Sequence, residues 1–200
     1  LIVVNAGLAW RVNSQPGLRD PVFDRPADDY KKRIESAEGK PRTVVFLGSS
    51  RTGNGVRPDV AQQAIEAERL GPCLAHNLHV PRNGPLGQLL HWRRLLDRGL
   101  RPDVVVLEIT IPGFAEGGAK EDAGAFGADR MSWDEVQLVR QFGCRDSIER
   151  DWWEVNLNPC FGYRFQLMAL VQPKWLPLTV RWHERRAPGD LGWKPPYFIT

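Results

Sequence analysis

Three short apolar runs, separated by two segments of helical length, constrain this chain most. TVVFL at residues 43–47, CLAHNL at 73–78 and VVVLEI at 104–109 each read as a strand. Between the first two, Pro58 stands where a helix starts. Val60, Ala61, Ala64, Ile65 and Ala67 then recur at helical spacing, until Gly71 and Pro72 stop them. Between the second and third, Pro85 opens a segment with Leu86, Leu89, Leu90 and Leu96 on one side, closed by Gly99. The order β-α-β-α-β implies parallel pairing and a sheet covered by helices. Strands as continuously apolar as VVVLEI imply burial on both faces. Ligands of such sheets sit beyond the carboxyl ends of the strands. Three loops, residues 48–55, 79–85 and 110–114, are therefore expected to share one rim.

With 200 residues, 42% of them hydrophobic, the chain has enough material for one domain with a real core. Its net charge of +3 is spread along the chain, with no basic stripe interleaved with aromatics, which argues against nucleic-acid binding. Cys73, Cys144 and Cys160 have no CxxC spacing, so no zinc site is expected. An odd count leaves at least one thiol without an intrachain partner. A Cys144–Cys160 disulfide and three reduced thiols both remain open. No Walker loop or dinucleotide fingerprint is present, and no cofactor is expected.

The flanks are less regular. LIVVNAGLAW at the start reads either as a frayed strand or helix, or as the tail of an N-terminal signal or membrane anchor. Residues 11–42 are polar and punctuated. They read as a lead-in with one short helix at about 30–37, stopped by Gly39 and Pro41. Residues 113–130 are rich in glycine, alanine and acid, which suits a mobile excursion or a surface loop. Ser132 with Glu135 three residues later is a capping-box signature, and Trp133, Val136, Val139 and Phe142 follow at helical spacing. Residues 148–171 are helix-like, with Pro159 as an interruption. The turn-rich end, finishing in YFIT, reads as the N-terminal part of a longer domain. On this reading residues 1–42 are a linker. Residues 43–200 are the α/β domain, with a helical insertion at about 114–185.

The first strand runs into Gly48, Ser49, Ser50 and Arg51. A nucleophilic serine needs a tight strand-to-loop turn that exposes its hydroxyl, and backbone N–H groups nearby to hold an oxyanion. The pattern G-S-S-R supplies the glycine and the loop, but it is not the G-x-S-x-G elbow. A serine in a polar turn is the simpler reading of the same residues.

TVVFLGSSRTGNGVRPDVAQQA resembles block I of the SGNH, or GDSL-like, hydrolase superfamily, a strand followed by G-[D/N/S]-S. FLGSSR is most similar to the membrane-anchored SGNH-like proteins of bacterial envelopes, of the DltD and polysaccharide O-acetyltransferase type. The resemblance covers about residues 43–114. It implies a three-layer α/β/α sandwich of flavodoxin-like type, with Ser50 as the nucleophile and its N–H as one oxyanion donor. The block II donor falls on Gly84 or, in another register, on Arg82; Gly84 with Pro85 also reads as a plain helix start. Block III usually brings an asparagine. Here LEITIPGF has none, and Thr110 offers a hydroxyl instead. Losing one such donor costs roughly 10²–10³ in rate.

The family's base lies in an Asp-x-x-His motif. None of His76, His79, His91 and His183 has an aspartate three residues before it. Glu108, at the end of the third strand, is placed to pair with Arg51 or Arg82. The tryptophans after residue 130 read as packing residues or as platforms for sugar rings. The resemblance implies an esterase or O-acyltransferase of the cell envelope, acting on acylated carbohydrate or another small ester and tethered upstream of residue 1. The alternatives are an inactive SGNH-like protein that binds a glycan or a protein partner, and a flavodoxin-like phosphate or nucleotide binder using residues 48–55 with Arg51.

Overall fold

In the computed structural model, which describes residues 2–176 except Arg69 and Glu116, α1 (Ile2–Asn13), α2 (Pro16–Arg19) and α3 (Pro21–Ser36) precede the first strand, β1 (Arg42–Leu47). Helices α4 (Ser50–Gly55) and α5 (Pro58–Ala67) link it to β2 (Cys73–Asn77). Helix α6 (Pro85–Asp97) links β2 to β3 (Val104–Leu107). Five helices follow: α7 (Gly118–Phe126), α8 (Trp133–Arg140), α9 (Arg145–Leu157), α10 (Pro159–Gly162) and α11 (Arg164–Val171).

The three strands are parallel in the order β2-β1-β3, with Val44 opposite Ala75 on one side and Val104 on the other. Strand alternation sends successive side chains to opposite faces. Val45, Leu47 and Leu74 enter a core with Phe23, Ala27 and Tyr30 of α3 and Leu95 of α6. Val44, Phe46, Cys73 and Ala75 face the other way, onto Ala61 and Ile65 of α5. Helices thus cover both faces of a small parallel sheet. Proline at the first turn opens α3, α5 and α6, where its missing N–H costs nothing and its fixed φ suits the helix.

The N-terminal stretch is not a linker. Phe23, Ala27 and Tyr30 fall at i, i+4 and i+7 on α3 and are fully buried against the sheet. The charges around them masked this apolar stripe in the sequence. Further upstream, α1 packs on α9 and α10, and Asn13 Nδ2 donates to Asn156 Oδ1 at 2.6 Å, which also receives the buried Tyr163 hydroxyl at 3.1 Å. Among the described residues, no helix is long and apolar enough to cross a membrane.

Residues 113–130 are not a loose excursion either. A short 3-10 turn (Ile111–Phe114) leads into α7, and a second (Ala128–Arg130) leads out of it. Ala123, Phe126, Ala128 and Met131 pack on Leu86 and Leu90 of α6, and on Val136, Val139 and Ile148 beyond. The capping box at Ser132 and Glu135 forms as expected, and Pro159 divides the last helical region between α9 and α10. Trp133, Trp152 and Trp153 pack against one another in tilted and edge-to-face arrangements, with ring centroids 4.9–5.6 Å apart, and Trp152 Nε1 donates to the Met131 carbonyl. All three cysteines are free thiols; Cys73 and Cys144 are buried and Cys160 is exposed.

One expectation fails at β3. Among the described residues the strand lies at the sheet edge, and Val104, Val106 and Leu107 are 41%, 43% and 54% exposed. Continuous apolar character predicts cover on both faces, but helices must supply that cover, and the fully buried sheet residues beneath them belong to β1 and β2.

Candidate functional site

The three loops after the strands do meet at one rim. The Val80 N–H donates to the Gly48 carbonyl at 2.9 Å, and the Glu108 N–H to the Leu47 carbonyl at 3.1 Å. Gln88 of α6 holds the Glu108 backbone from both sides, at 2.9 and 3.0 Å. Gly113 lies so close to Pro85 that a Cβ there would sit 2.6 Å from its ring.

Gly48 is where β1 must break. A Cβ at this position would lie 2.0 Å from Thr52 Oγ1 and 2.7 Å from Glu108 Oε2. Only glycine lets the carboxylate and the hydroxyl close over the strand end. The next residues form a helix, α4, rather than the open loop the sequence suggested. The reason is the cap: Ser49 accepts the Arg51 N–H on its hydroxyl at 3.2 Å. Asn77, at the end of β2, then ties the helix down by donating to the carbonyls of Thr52 and Val56, each at 3.0 Å.

Glu108 organises this turn. Its carboxylate receives the Ser49 N–H at 2.8 Å, the Ser49 hydroxyl at 2.7 and 2.9 Å, the Thr52 hydroxyl at 2.6 Å and the Thr52 N–H at 3.3 Å. Burial works to raise its pKa, but the donors from Thr52 and Ser49 outweigh it and hold the carboxylate ionised below its ordinary range. The sequence reading paired Glu108 with Arg51 or Arg82. It pairs with neither, because the nearer hydroxyls and N–H groups already surround it.

Ser49 and Ser50 are therefore chemically different. The Ser49 hydroxyl is committed to Glu108 and to the cap. The Ser50 side chain is exposed on the first turn of α4 and has no hydrogen-bond partner among the described residues. Arg51 is exposed beside it. His79 is buried with its ring directly against Gly53, where a Cβ would meet the imidazole at 2.3 Å. His79 thus packs on the buried side of α4, where Thr52 and Gly53 lie, whereas Ser50 is exposed. His91 is buried elsewhere, stacked on Phe23 at 4.1 Å, and His76 lies beside Arg33 at 3.0 Å. His183 lies outside the described residues.

The two candidate block II donors separate clearly. The Gly84 N–H donates to Asp122 Oδ1 at 2.8 Å, and the same carboxylate takes the N–H groups of Leu86 and Gly87. Gly84 is the N-cap of α6 and its donor is spent. The Arg82 N–H carries no hydrogen bond among the described residues. Arg82 is exposed and adopts φ +61°, a conformation that residues other than glycine rarely take. Thr110 is half-buried beyond β3 and accepts the Gly113 N–H on its carbonyl at 3.0 Å. Among the described residues, no group of three or more His, Cys, Asp or Glu side chains could hold a metal ion.

A second polar cluster escaped the sequence reading. Buried Asp20 binds Arg94 at 2.6 Å and Arg130 at 2.9 Å, and Glu135 takes Arg94 through both oxygens at 2.5 and 2.9 Å. It ties the start of α3 to α6 and α8. Asp20, Arg94 and the Arg130–Glu135 pair lie tens of residues apart in sequence, so no local spacing announces the cluster.

No family model, curated protein or solved structure matches this chain.

Proposed function

We propose that this chain is an SGNH-type serine esterase or O-acyltransferase of the cell envelope, acting on acylated carbohydrate or another small ester through Ser50. The observation that carries this reading is the division of labour between adjacent serines. Glu108 and the helix cap consume Ser49, which leaves Ser50 exposed on the carboxyl rim of a parallel sheet. The strand order β2-β1-β3 agrees with the first three strands of a flavodoxin-like sheet.

In the reaction the Ser50 hydroxyl oxygen bonds to the acyl carbon and gives up its proton. The alcohol departs with a proton, and water or a sugar hydroxyl then takes the acyl group and restores the serine. The N–H groups of Ser50 and Arg82 are the backbone donors assigned to the oxyanion. Thr110 stands where an asparagine usually completes such a hole. One observation favours the inactive, glycan- or protein-binding alternative: no base hydrogen-bonds Ser50 among the described residues.

The test is labelling by a fluorophosphonate probe. The parent chain is expected to label, S50A to lose the label, and a control serine hydrolase to label in parallel. A folded parent that stays unlabelled beside a labelled control overturns the catalytic reading in favour of the inactive one.

A further inference from the structure

Beneath the loop that follows β2, one buried cation, Arg19, makes no ion pair among the described residues. Asp20 is taken by Arg94 and Arg130, Glu135 by Arg94, and Asp24 by Arg98. Arg19 is only 7% exposed and has no ion pair among the described residues. Its Nη1 donates to the Asn13 carbonyl at 3.2 Å, but its Nε has no partner. Burial pulls its pKa below the ordinary arginine value, with opposing help from Glu135. An arginine stays charged even so, and a buried unpaired charge is costly unless something answers it.

Arg19 lines a cavity of about 280 Å³ between α2, the start of α3, the β2 loop, α7 and α11. Gln166 lines the same space and is 8% exposed. Its Nε2 donates to Asp129 at 2.8 Å, while its Oε1 is unpartnered. Val22, Val80, Phe126 and Ala169 supply apolar wall. A mostly apolar cavity with two orphaned polar atoms on buried side chains has the make-up of a small-ligand site.

The charges in the wall choose the ligand. Arg130 also lines the cavity but is spent on Asp20, and Arg82 is exposed. Asp129 lines the cavity too; it makes no ion pair with Arg19, its Oδ2 accepts from Gln166 Nε2, and burial pushes its carboxyl up. The buried Arg19 Nε, which has no partner, calls for a negatively charged acceptor, and the apolar walls call for a hydrocarbon body. A phosphate would bring excess charge and nothing to fill those walls.

We propose that this cavity binds a small carboxylic acid as its anion, the carboxylate on Arg19 and the apolar body against Val22, Val80, Phe126 and Ala169. The assignment is independent of any chemistry at Ser50.

Calorimetric titration of the whole chain with butyrate, hexanoate and benzoate, each beside its uncharged amide, tests it. At least one acid is expected to bind saturably, about tenfold or more tighter than its amide, as a charge-assisted contact requires. R19Q removes that preference for the acid. A169F, which fills the cavity, abolishes binding while the circular dichroism spectrum is kept. Should R19Q fail to fold, the acid–amide comparison on the parent and the A169F titration still decide. The proposal is overturned if no acid binds the folded chain, if acid and amide bind equally, or if folded A169F binds as the parent does.

Discussion

The Ser49 hydroxyl donates to Glu108, 2.7 Å from one carboxylate oxygen and 2.9 Å from the other. That contact joins the end of β1 to the end of β3 and fixes which of two adjacent serines faces solvent. Glu108→Ala leaves the Ser49 and Thr52 donors without their acceptor. It should lower stability by about 2 kcal/mol, read from urea denaturation, and should reduce Ser50 labelling because α4 loses its anchor. The folded pKa of Glu108 is depressed, so its contribution is present above the usual 4.5 and is lost as pH falls through the depressed value. E108A should therefore show a weaker loss of stability below pH 4.5 than the parent does.

Gly48 sits where a side chain would collide with Thr52 and Glu108. Gly48→Ala forces those two groups apart and should cost about 1–3 kcal/mol, the usual range for overpacking. Thermal denaturation reads the cost. A G48A chain as stable as the parent would show that the Glu108–Thr52 contact does not hold the turn closed.

Arg82 is the one non-glycine residue with positive φ among the described residues. Such a conformation costs an ordinary side chain on the order of 1 kcal/mol, and glycine takes it freely. Arg82→Gly should raise stability by up to about 1 kcal/mol and keep Ser50 labelling, because the backbone N–H assigned to the oxyanion is retained. Labelling lost in a stable R82G chain would point to the guanidinium instead.

Two buried groups pull stability in opposite directions with pH. Burial lowers the His91 pKa to about 4, against the attraction of Asp20. The unfolded chain then binds a proton, which the folded chain refuses, as pH falls from 6.5 to 4. Stability falls with it, by about 3 kcal/mol for a shift of this size. Burial, with repulsion from Asp20, raises the Asp24 pKa to about 6 despite Arg98. The folded chain therefore gains that proton first, and stability rises by about 3 kcal/mol as pH falls from 6 to 3.8. In the parent the two largely offset each other. Asp24→Asn removes one of them, so D24N should lose about 3 kcal/mol more than the parent between pH 6.5 and 4. Denaturation midpoints with the same pH slope in both proteins would refute the assignment.

The alternation of three strands and two helices was legible because each element carries its own periodicity and its own stop signals. Pro58, Pro85 and the Ser132–Glu135 box are local, and local chemistry survives into the fold. The convergence of three loops followed from parallel pairing alone. The resemblance to block I singled out Ser50 over Ser49, but no local signal shows how the two hydroxyls are bonded. That distinction depends on Glu108, 59 residues away.

The misreadings share one cause. The N-terminal helices looked like a linker because the stripe of Phe23, Ala27 and Tyr30 is interleaved with charges, several of which find partners only in α6. Residues 113–130 looked loose because small residues carry little apolar signal, yet Asp122 docks them on the N–H groups that open α6. Gly84 was the natural donor, with Arg82 in another register, until that carboxylate claimed the Gly84 N–H. β3 reads as fully buried, and only the sheet order shows it at an edge. Periodicity and punctuation are properties of neighbours along the chain, so the sequence by itself determined the three strands, α5, α6 and their parallel order. Which hydroxyl is free, which N–H is spent and which buried charge lacks a partner are set by residues far apart in sequence, and only the tertiary structure decided them.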